Sequence, residues 1–132
     1  MTLTKEHVRQ VIDTYFRAWT TQDPDLILTI FTPTATYHER VLEAAWCNEA
    51  GIRDYWETRV VKEEANIEVE LLSLYLDGDT AIAEWEAHFD DVVGGNRKHM
   101  LEVAILDFED GKIAKLREYW AAETVGPATV AG

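Results

Sequence analysis

The sequence predicts an α+β domain in which a cone-shaped, curved antiparallel sheet wraps around three helices and leaves an internal pocket. Two observations lead to this prediction. Up to about Asn66 apolar residues recur with a period of about 3.6, as in amphipathic helices, and beyond it with a period of about 2, as in strands. Short turns rich in Gly, Asp and Asn separate the strand-like segments. Helices and a sheet in this order bury their apolar faces against each other in two layers.

Each predicted helix has one apolar face. The first helix begins after Thr4. Its apolar face consists of Val8, Val11, Ile12, Tyr15, Phe16 and Trp19. The second has Asp23 as N-cap and Pro24 as its first residue, and we expect it to run through Phe31. Asn48 is the expected N-cap of the third helix. The apolar stripe of that helix consists of Ile52, Tyr55, Trp56 and Val60.

One short strand and four long strands are expected to form the sheet. The short strand covers residues 35–40. The long strands form a meander over residues 67–76, 80–91, 97–108 and 112–121. The turns between them contain glycine and are short enough to join antiparallel neighbours. Residues 1–132 are expected to form a single domain, with a frayed tail over residues 126–132.

The composition limits the classes of function. A chain of 132 residues with 47% hydrophobic side chains supplies enough apolar surface for one core. The 12 basic and 25 acidic residues give a net charge of −13, which disfavours nucleic acid and anionic membranes as partners. Cys47 is the only cysteine, and no apolar stretch approaches the roughly 18 residues of a membrane span. A cytoplasmic protein is therefore expected.

No metal site and no cofactor are predicted. The four histidines form no close pair on a helix, and no cysteine pair accompanies them. Ser73 and Cys47 lack the flanking residues of a nucleophile motif, and no glycine-rich phosphate loop is present. The candidate chemistry therefore depends on carboxyl and phenol groups.

Two acids are expected to face the interior from the long strands. Alternation places Glu118 on the same face of the last strand as Leu116 and Trp120. Glu102 shares one face of the preceding strand with Met100. Burial would raise the pKa of such a carboxyl toward the range useful for acid–base catalysis, and a structural ion pair is the alternative. Because both faces of the strand that carries Glu102 are apolar, we also expect a second subunit to cover the outer face in a homodimer.

Glu39 on the short strand is the expected general base. Tyr37 and Glu39 share one side of this strand, and His38 lies on the other. A twist or bulge would exchange Glu39 and His38, and an exposed surface position is a further alternative. On the second long strand the facing of Glu84 and His88 is also open, toward either solvent or pocket.

Large aromatic side chains are expected to form the wall of the pocket. Apolar walls with a few placed polar groups are the usual form of small-molecule sites, so a small apolar or aromatic ligand is expected. The candidate binding residues are Trp19, Tyr37, Trp46, Tyr55, Trp56, Glu84, His88, Met100 and Trp120.

Five short segments carry a family resemblance. They are Thr14-Tyr15-Phe16, Gln22-Asp23, Phe31-Thr32-Pro33-Thr34-Ala35, Asp110-Gly111-Lys112-Ile113 and Arg117-Glu118-Tyr119-Trp120. With this order of elements the chain resembles the nuclear transport factor 2-like superfamily, in its SnoaL-like and ketosteroid isomerase-like branches. The resemblance implies a conical sheet that wraps around the helices and leaves a pocket at its open end.

The same resemblance implies roles for individual residues. Glu39 stands where related enzymes place a carboxylate base. Tyr15 matches the phenolic donor of the isomerase, and Trp120 matches its active-site tryptophan. The second acid of the isomerase would fall near Ala104, and in this chain Glu102 lies one inward step away.

The sequence thus predicts a small-molecule pocket protein of the SnoaL-like type. The leading hypothesis is a cofactor-free isomerase, cyclase or hydratase that acts on a cyclic or aromatic compound. Glu39 is then the base and Tyr15 a hydrogen-bond donor. Glu118 or Glu102 is the second acid. The alternative is a non-catalytic ligand-binding or dimerisation module whose carboxylates are structural.

Overall fold

Three α-helices and six strands form the fold of residues 2–129, the part of the chain that the computed structural model describes. The helices are α1 (Lys5–Thr21), α2 (Pro24–Leu28) and α3 (Asn48–Tyr55), and a π-helical segment, Trp56–Val61, continues α3 directly. The strands are β1 (Phe31–His38), β2 (Trp46–Cys47), β3 (Glu64–Asp77), β4 (Thr80–Asp91), β5 (Asn96–Glu109) and β6 (Lys112–Pro127). The predicted fold class, a curved sheet with three helices, is confirmed.

Helix α1 begins and ends with identifiable caps. The Thr4 hydroxyl accepts a hydrogen bond from the His7 N–H at 3.1 Å, which satisfies one free amide of the first turn. At the other end Gln22 adopts a left-handed conformation, φ 54°. Its side-chain amide donates to the carbonyl oxygens of Val60 (2.8 Å) and Glu64 (2.6 Å). The end of α1 is thereby fixed to the beginning of β3.

Helix α2 is shorter than predicted. Asp23 caps it through two hydrogen bonds from backbone amides, of 3.0 and 3.1 Å, and Pro24 is its first residue. Phe31, predicted to be helical, is instead the first residue of β1. The reason is tertiary pairing, because the N–H of Ile113 in β6 donates to the carbonyl of Ile30 at 2.8 Å. Strand β1 therefore begins and ends earlier than predicted.

The start of α3 also differs from the prediction. Cys47, not Asn48, is the N-cap, and its side chain makes no capping hydrogen bond. Asn48 is instead the first helical residue and has a positive φ of 66°, which asparagine tolerates better than most residues. Gly51 lies so close to the backbone of Trp46 that a Cβ would be 3.3 Å from its carbonyl carbon. No helix within residues 2–129 is long and apolar enough to cross a membrane.

The six strands form one sheet in the order β2-β1-β6-β5-β4-β3. Strands β3 to β6 form the predicted antiparallel meander. Strand β1, however, pairs with β6 in parallel, so the sheet is mixed instead of wholly antiparallel. A parallel pair needs a long connection, and α3 with strands β3 to β5 provides one between β1 and β6.

Asp90 holds the C-terminal end of β6 in place. Residues 126–127, predicted to be frayed, pair with β5. Thr129 donates to both Asp90 oxygens, through its N–H (3.0 Å) and its hydroxyl (2.6 Å), and the Asn66 amide donates at 2.7 Å. These bonds, those from Thr129 first, hold the pKa of the buried Asp90 carboxyl well below its usual range. Residues 130–132 of the predicted tail lie outside the described part of the chain.

The sheet has two chemically different faces. Its inner face packs against the helices through buried side chains such as Trp85, Leu106 and Leu116. Its outer face has a polar part, where the His88 and His99 rings stack with centroids 4.8 Å apart. The outer face also exposes several large apolar side chains, namely Ile82, Leu101, Val103 and Tyr119.

Candidate active site

A cavity of about 200 Å³ opens at one end of the sheet, between the ends of the strands and the helices. Its aromatic wall consists of Tyr15, Trp19, Tyr37, Tyr55, Trp56, Phe89 and Trp120. The rings pack mainly edge to face or tilted, for example Tyr15 and Trp56 with centroids 6.0 Å apart and an interplanar angle of 81°. The volume is below the range of roughly 300–1,000 Å³ that is usual for drug-sized ligands, so the cavity suits a small compound.

The π-helical segment forms one side of the cavity. Trp56, Arg59 and Val60 all line it from this segment. A π-helical turn is wider than an α-helical turn and is often found at functional sites. Here it brings an indole, a guanidinium and an aliphatic side chain to the same wall.

Glu102 and Glu118 form a buried carboxyl pair inside the cavity. Glu118 pairs with Ala104 across the sheet and Glu102 pairs with Trp120, so the two glutamates are diagonal neighbours on the inner face. Glu102 is 2% exposed and Glu118 is 7% exposed. Glu102 Oε2 and Glu118 Oε1 are buried and have no hydrogen-bond partner of good geometry among the described residues.

Burial raises the pKa of both carboxyl groups. Burial raises the pKa of Glu118 to about 7, although the neighbouring Glu102 carboxyl and Tyr37 phenol lower it in part. The pKa of Glu102 lies well above its usual range, because of burial first and the charge of Glu118 second. Two carboxylates this close cannot both ionise without a large cost, so the pair titrates as a unit. At neutral pH it therefore retains a proton.

Two buried tyrosines lie beside this pair. The hydroxyl oxygens of Tyr15 and Tyr37 are 2.6 Å apart, so one phenol donates to the other. Burial, and after it the charge of Glu118, raises the pKa of both phenols well above the ordinary value. Both therefore stay protonated at neutral pH and act as hydrogen-bond donors.

Glu39 lies at the rim of the cavity, just beyond the end of β1. Its Oε2 is 3.3 Å from Nε of Arg40, and its backbone carbonyl accepts a hydrogen bond from the Trp120 indole at 3.0 Å. Burial raises its pKa, and the charge of Arg40 works against the rise. The His38 ring instead lies 3.1 Å from the Thr36 hydroxyl and is not part of the cavity lining.

Glu64 is a further, half-buried acid of the cavity. Its Oε1 accepts a hydrogen bond from the Trp19 indole at 2.8 Å. Burial raises its pKa to about 7, and the bond from Trp19 offsets only part of the rise. Glu64 is the first residue of β3, a position that the sequence analysis assigned to the connection before the strand. The adjacent pair Glu63-Glu64, directly after an apolar helix stripe, was the available sequence signal.

The sequence model of the SnoaL-like domain family matches residues 12–116, which is most of the chain. The chain belongs to the SnoaL-like domain family. The family resemblance predicted from the sequence is therefore confirmed. The matched range contains Tyr15, Glu39 and Glu102 and ends just before Glu118. The comparison with curated proteins gives no match to this sequence.

Solved structures of low sequence identity share the fold of this SnoaL-like chain. The epoxide hydrolase/cyclase-like enzyme SalBIII, with a role in pyran ring formation in the polyether salinomycin, gives a TM-score of 0.76 at 22% identity over 88% of this chain and 94% of its own. An LEH-like epoxide hydrolase of M. tuberculosis gives 0.73 at 18% identity over 89% and 84%. A hypothetical protein of Catenulispora acidiphila with a ketosteroid isomerase-like fold, in complex with trimethylamine, gives 0.73 at 19% identity over 83% and 83%.

The cavity brings together most of the residues that the sequence predicted for the site. Those that line it are Tyr15, Trp19, Tyr37, Glu39, Tyr55, Trp56, Met100, Glu102, Glu118 and Trp120. Strand alternation places both buried acids of β5 and β6 on the inner face, which is where the sequence pattern put them.

Three candidate residues lie elsewhere. Glu84 is on the outer face of β4, where its carboxylate accepts a hydrogen bond from Ser73 at 3.1 Å. His88 is on the same face, since the alternate residues of β4, such as Trp85, fill the inner face. Trp46 packs against Tyr55, with centroids 5.5 Å apart, but is not part of the cavity lining. The prediction that these three line the pocket is therefore not supported by the geometry.

Several residues of the cavity were not among the candidates. They are Arg40, Arg59, Val60, Glu63, Glu64, Phe89 and Asp91. Most of them lie at the ends of elements, where periodicity no longer indicates which way a side chain faces. The sequence pattern therefore predicted the cavity residues in the middle of the strands better than those at the rim of the cavity.

Proposed function

We propose that the cavity carries out cofactor-free acid–base catalysis on a small cyclic or aromatic molecule, with the Glu102–Glu118 pair at its centre. The observation that carries the proposal is this pair itself, buried, lacking partners for two of its oxygens and lining a cavity. A carboxyl group with a pKa near 7 is well matched to proton transfer at neutral pH. A purely structural carboxylate would normally have its oxygens satisfied.

The pair supplies an acid and a base at the same time. The ionised carboxylate accepts a proton from the substrate, or from an attacking hydroxyl group or water. The protonated carboxyl donates its proton to the oxygen that gains negative charge. One proton enters the pair and one leaves it, so a proton shift between Glu102 and Glu118 restores the starting state. Isomerisation, cyclisation and hydration all use this exchange.

Opening of an epoxide ring is the form of this chemistry that the pair suits well. The base removes a proton from water or from a hydroxyl group of the substrate as the new C–O bond forms. The acid protonates the epoxide oxygen as its C–O bond breaks. Two of the solved structures that share the fold are described as an epoxide hydrolase and an epoxide hydrolase/cyclase-like enzyme, which supports testing epoxides first.

Tyr15, Tyr37 and Glu39 have supporting roles in this proposal. One phenol donates to the other, so the tyrosine pair leaves one O–H free to donate beside the carboxyl pair. Glu39, predicted from the sequence as the base, lies at the rim and is engaged by Arg40 at 3.3 Å. Its role as a base stays a prediction, and Glu39→Gln in the assay below separates the two possible bases.

The test is turnover by wild type and by the Glu102→Gln and Glu118→Gln variants. The probes are cyclohexene oxide, for ring opening, and a β,γ-unsaturated cyclohexenone, for isomerisation. We expect each variant to lose at least about 100-fold in kcat/KM on a probe that the wild type converts, because general acid–base groups contribute on this scale. Glu70→Gln, an exposed glutamate of β3, is the control and should keep full activity.

Two results would decide against the proposal. Full activity in both Gln variants would exclude the pair as the acid and base. Binding of the probes without conversion would support the alternative function, ligand binding without catalysis, in which the engaged Glu39–Arg40 pair has a structural role.

We propose in addition that two copies of the chain associate through the outer face of the sheet. Apolar residues of three adjacent strands meet there: exposed Ile82 lies opposite half-buried Ile105, and exposed Val103 lies opposite exposed Tyr119. Exposed apolar patches on a sheet face are candidate interfaces, and a twofold axis would pair this patch with itself.

A further inference from the structure

The cavity carries more negative than positive charge. Six of its lining residues have carboxyl groups, namely Glu39, Glu63, Glu64, Asp91, Glu102 and Glu118. Only two lining residues, Arg40 and Arg59, are basic. The acids reach the cavity from the rim of β1 and from β3, β4, β5 and β6, so the excess of negative charge surrounds the space on several sides.

The two arginines form no salt bridge with three of these acids. The Arg40 guanidinium pairs with Glu39 at the rim, and Arg59 also acts electrostatically on Glu39. Glu64, Glu102 and Glu118 form no salt bridge with any residue in the range 2–129. The unpartnered oxygens of the last two lie within the cavity wall. These three carboxyl groups therefore lack a positive partner.

Besides the carboxyl groups, the aromatic wall supplies ring faces that can bind a cation. The faces of indole and phenol rings attract cations, most strongly when the cation is shielded from water. The chain itself contains one example, since the Arg40 guanidinium lies 5.0 Å from the centroid of the Trp120 ring while it pairs with the Glu39 carboxylate. Trp19 and Trp56 line the same cavity as these acids, and the Trp19 indole N–H donates a hydrogen bond to Glu64.

We propose that the pocket recognises a small organic cation, an alkyl- or aryl-substituted ammonium, whose charge is neutralised chiefly by Glu64 against the tryptophan wall. This inference rests on the proposed function, because it names the substrate class of the same cavity. The volume of about 200 Å³ limits the cation to a compact body. With Glu64 opposite the ammonium group, the Glu102–Glu118 pair keeps its proton for chemistry on the rest of the molecule.

Binding of a cation must then be linked to proton release. Burial raises the pKa of Glu64 and of Glu118 to about 7, so both are partly protonated at neutral pH in the free protein. A bound ammonium favours the carboxylate form and displaces a proton. Affinity should therefore increase as pH rises from about 6 to about 8, across the window set by these two groups. The other charged groups around the site are Glu39, Arg40, Arg59, Glu63, Asp91 and Glu102.

Titration calorimetry with choline tests the proposal. The comparison ligand is the neutral alcohol in which carbon replaces the nitrogen of choline, so that size and shape are matched. We expect choline to bind roughly tenfold more tightly, because a shielded cation–aromatic contact alone is worth about that ratio. Choline stays charged at every pH, so its pH dependence reports the protein. Titrations in two buffers of different ionisation enthalpy should show net proton release.

The variant Glu64→Gln identifies the residue responsible. The amide oxygen of glutamine can still accept the hydrogen bond from Trp19, so the fold is preserved. We expect the preference for choline over the neutral alcohol, and most of the proton release, to disappear. Glu70→Gln removes one charge from the exposed side of the same strand and should change neither.

Three results would overturn the inference: equal affinity for both ligands, tighter binding of the neutral alcohol, or no binding of choline at millimolar concentration. None of them affects the proposed acid–base function, which is tested by turnover in the Glu102→Gln and Glu118→Gln variants. Conversely, if the wild type converts none of the probes but still prefers choline over the neutral alcohol, the cavity binds cations without catalysis.

Discussion

Glu118 shows how opposing influences set the properties of a single carboxyl group. Burial raises its pKa from 4.5 to about 7, while the neighbouring Glu102 carboxyl and Tyr37 phenol limit the rise. The folded protein therefore binds the Glu118 proton more tightly than the unfolded chain does. Between about pH 4.5 and about pH 7 the folded state keeps a proton that the unfolded state has lost, so stability decreases as pH rises through this window.

The first prediction concerns the stability that the folded protein loses when the buried Glu118 ionises. Glu118→Gln cannot ionise, so we expect its free energy of unfolding above about pH 7.5 to exceed that of the wild type by roughly 1–3 kcal/mol. Below about pH 4 the two proteins should be similar, because Glu118 is then protonated in both the folded and the unfolded state. Urea denaturation at the two pH values measures the difference. A variant that is less stable at both would indicate that Glu118 is a structural ion-pair or hydrogen-bond partner.

The second prediction concerns Tyr37. The neighbouring Tyr37 phenol lowers the pKa of Glu118, so Tyr37→Phe should raise that pKa. Side-chain carbon NMR of the glutamates follows the titration without any substrate. Tyr55→Phe is the matched control, since Tyr55 lines the same cavity and does not contribute to the lowering of this pKa. An unchanged midpoint in Tyr37→Phe would mean that the phenol does not donate to Glu118 in solution.

The segment that follows β6 is held by one buried side chain of β4, Asp90. Asp90 accepts hydrogen bonds from the backbone and the hydroxyl of Thr129 and from the Asn66 amide. Its pKa is lowered, chiefly by Thr129, so the stabilisation that it provides is complete above the unfolded-state pKa of about 4. That stabilisation is lost only as pH falls through the lower folded-state pKa.

The third prediction tests the role of the Asp90 hydrogen bonds at the end of β6. Asp90→Asn replaces one acceptor oxygen by an N–H donor, which cannot accept a hydrogen bond from the N–H or the hydroxyl of Thr129. The substitution should therefore release Thr129 and loosen the end of β6. We expect faster amide hydrogen exchange at the end of β6 and lower stability at neutral pH. Asp13→Asn, on the exposed side of α1, is the control. Unchanged exchange at the end of β6 would show that strand pairing alone holds this segment.

The long elements were predictable and their ends were not. Side chains alternate along a strand with a period of two, so the inward positions of Glu102 and Glu118 follow from the apolar neighbours on each strand. Glu64 was missed because β3 begins before the alternating pattern does. The early start of β1 at Phe31 follows from pairing with β6, far away in the sequence. The π-helical turn at Trp56 has the same apolar spacing as an α-helix, so the sequence pattern did not distinguish the two.

At the scale of the whole molecule the sheet separates two kinds of surface. Its inner face and the helices enclose an acidic, aromatic cavity, whereas its outer face combines an apolar patch with a polar cluster. In that cluster His99 lies 2.6 Å from Glu86 and 2.8 Å from Glu123. An interface on the outer face would therefore leave the mouth of the cavity free, because the two lie on opposite sides of the same strands.

The fourth prediction tests the proposed association of two copies. Val103 lies on the central strand of the apolar patch, opposite Glu84 on one side and Tyr119 on the other. We expect the wild type to be a dimer at micromolar concentration in sedimentation velocity and Val103→Glu to be a monomer. In a twofold interface the substitution places two additional carboxylates near the axis, and burying unpaired like charges is costly.

Val93→Glu is the matched control for this experiment. Val93 is 76% exposed in the turn between β4 and β5, so the same change of residue type adds the same charge outside the apolar patch. The control should remain dimeric. A monomeric wild type would contradict the proposed interface. If both variants dissociate, the added charge acts through overall repulsion of this acidic chain and not through the patch.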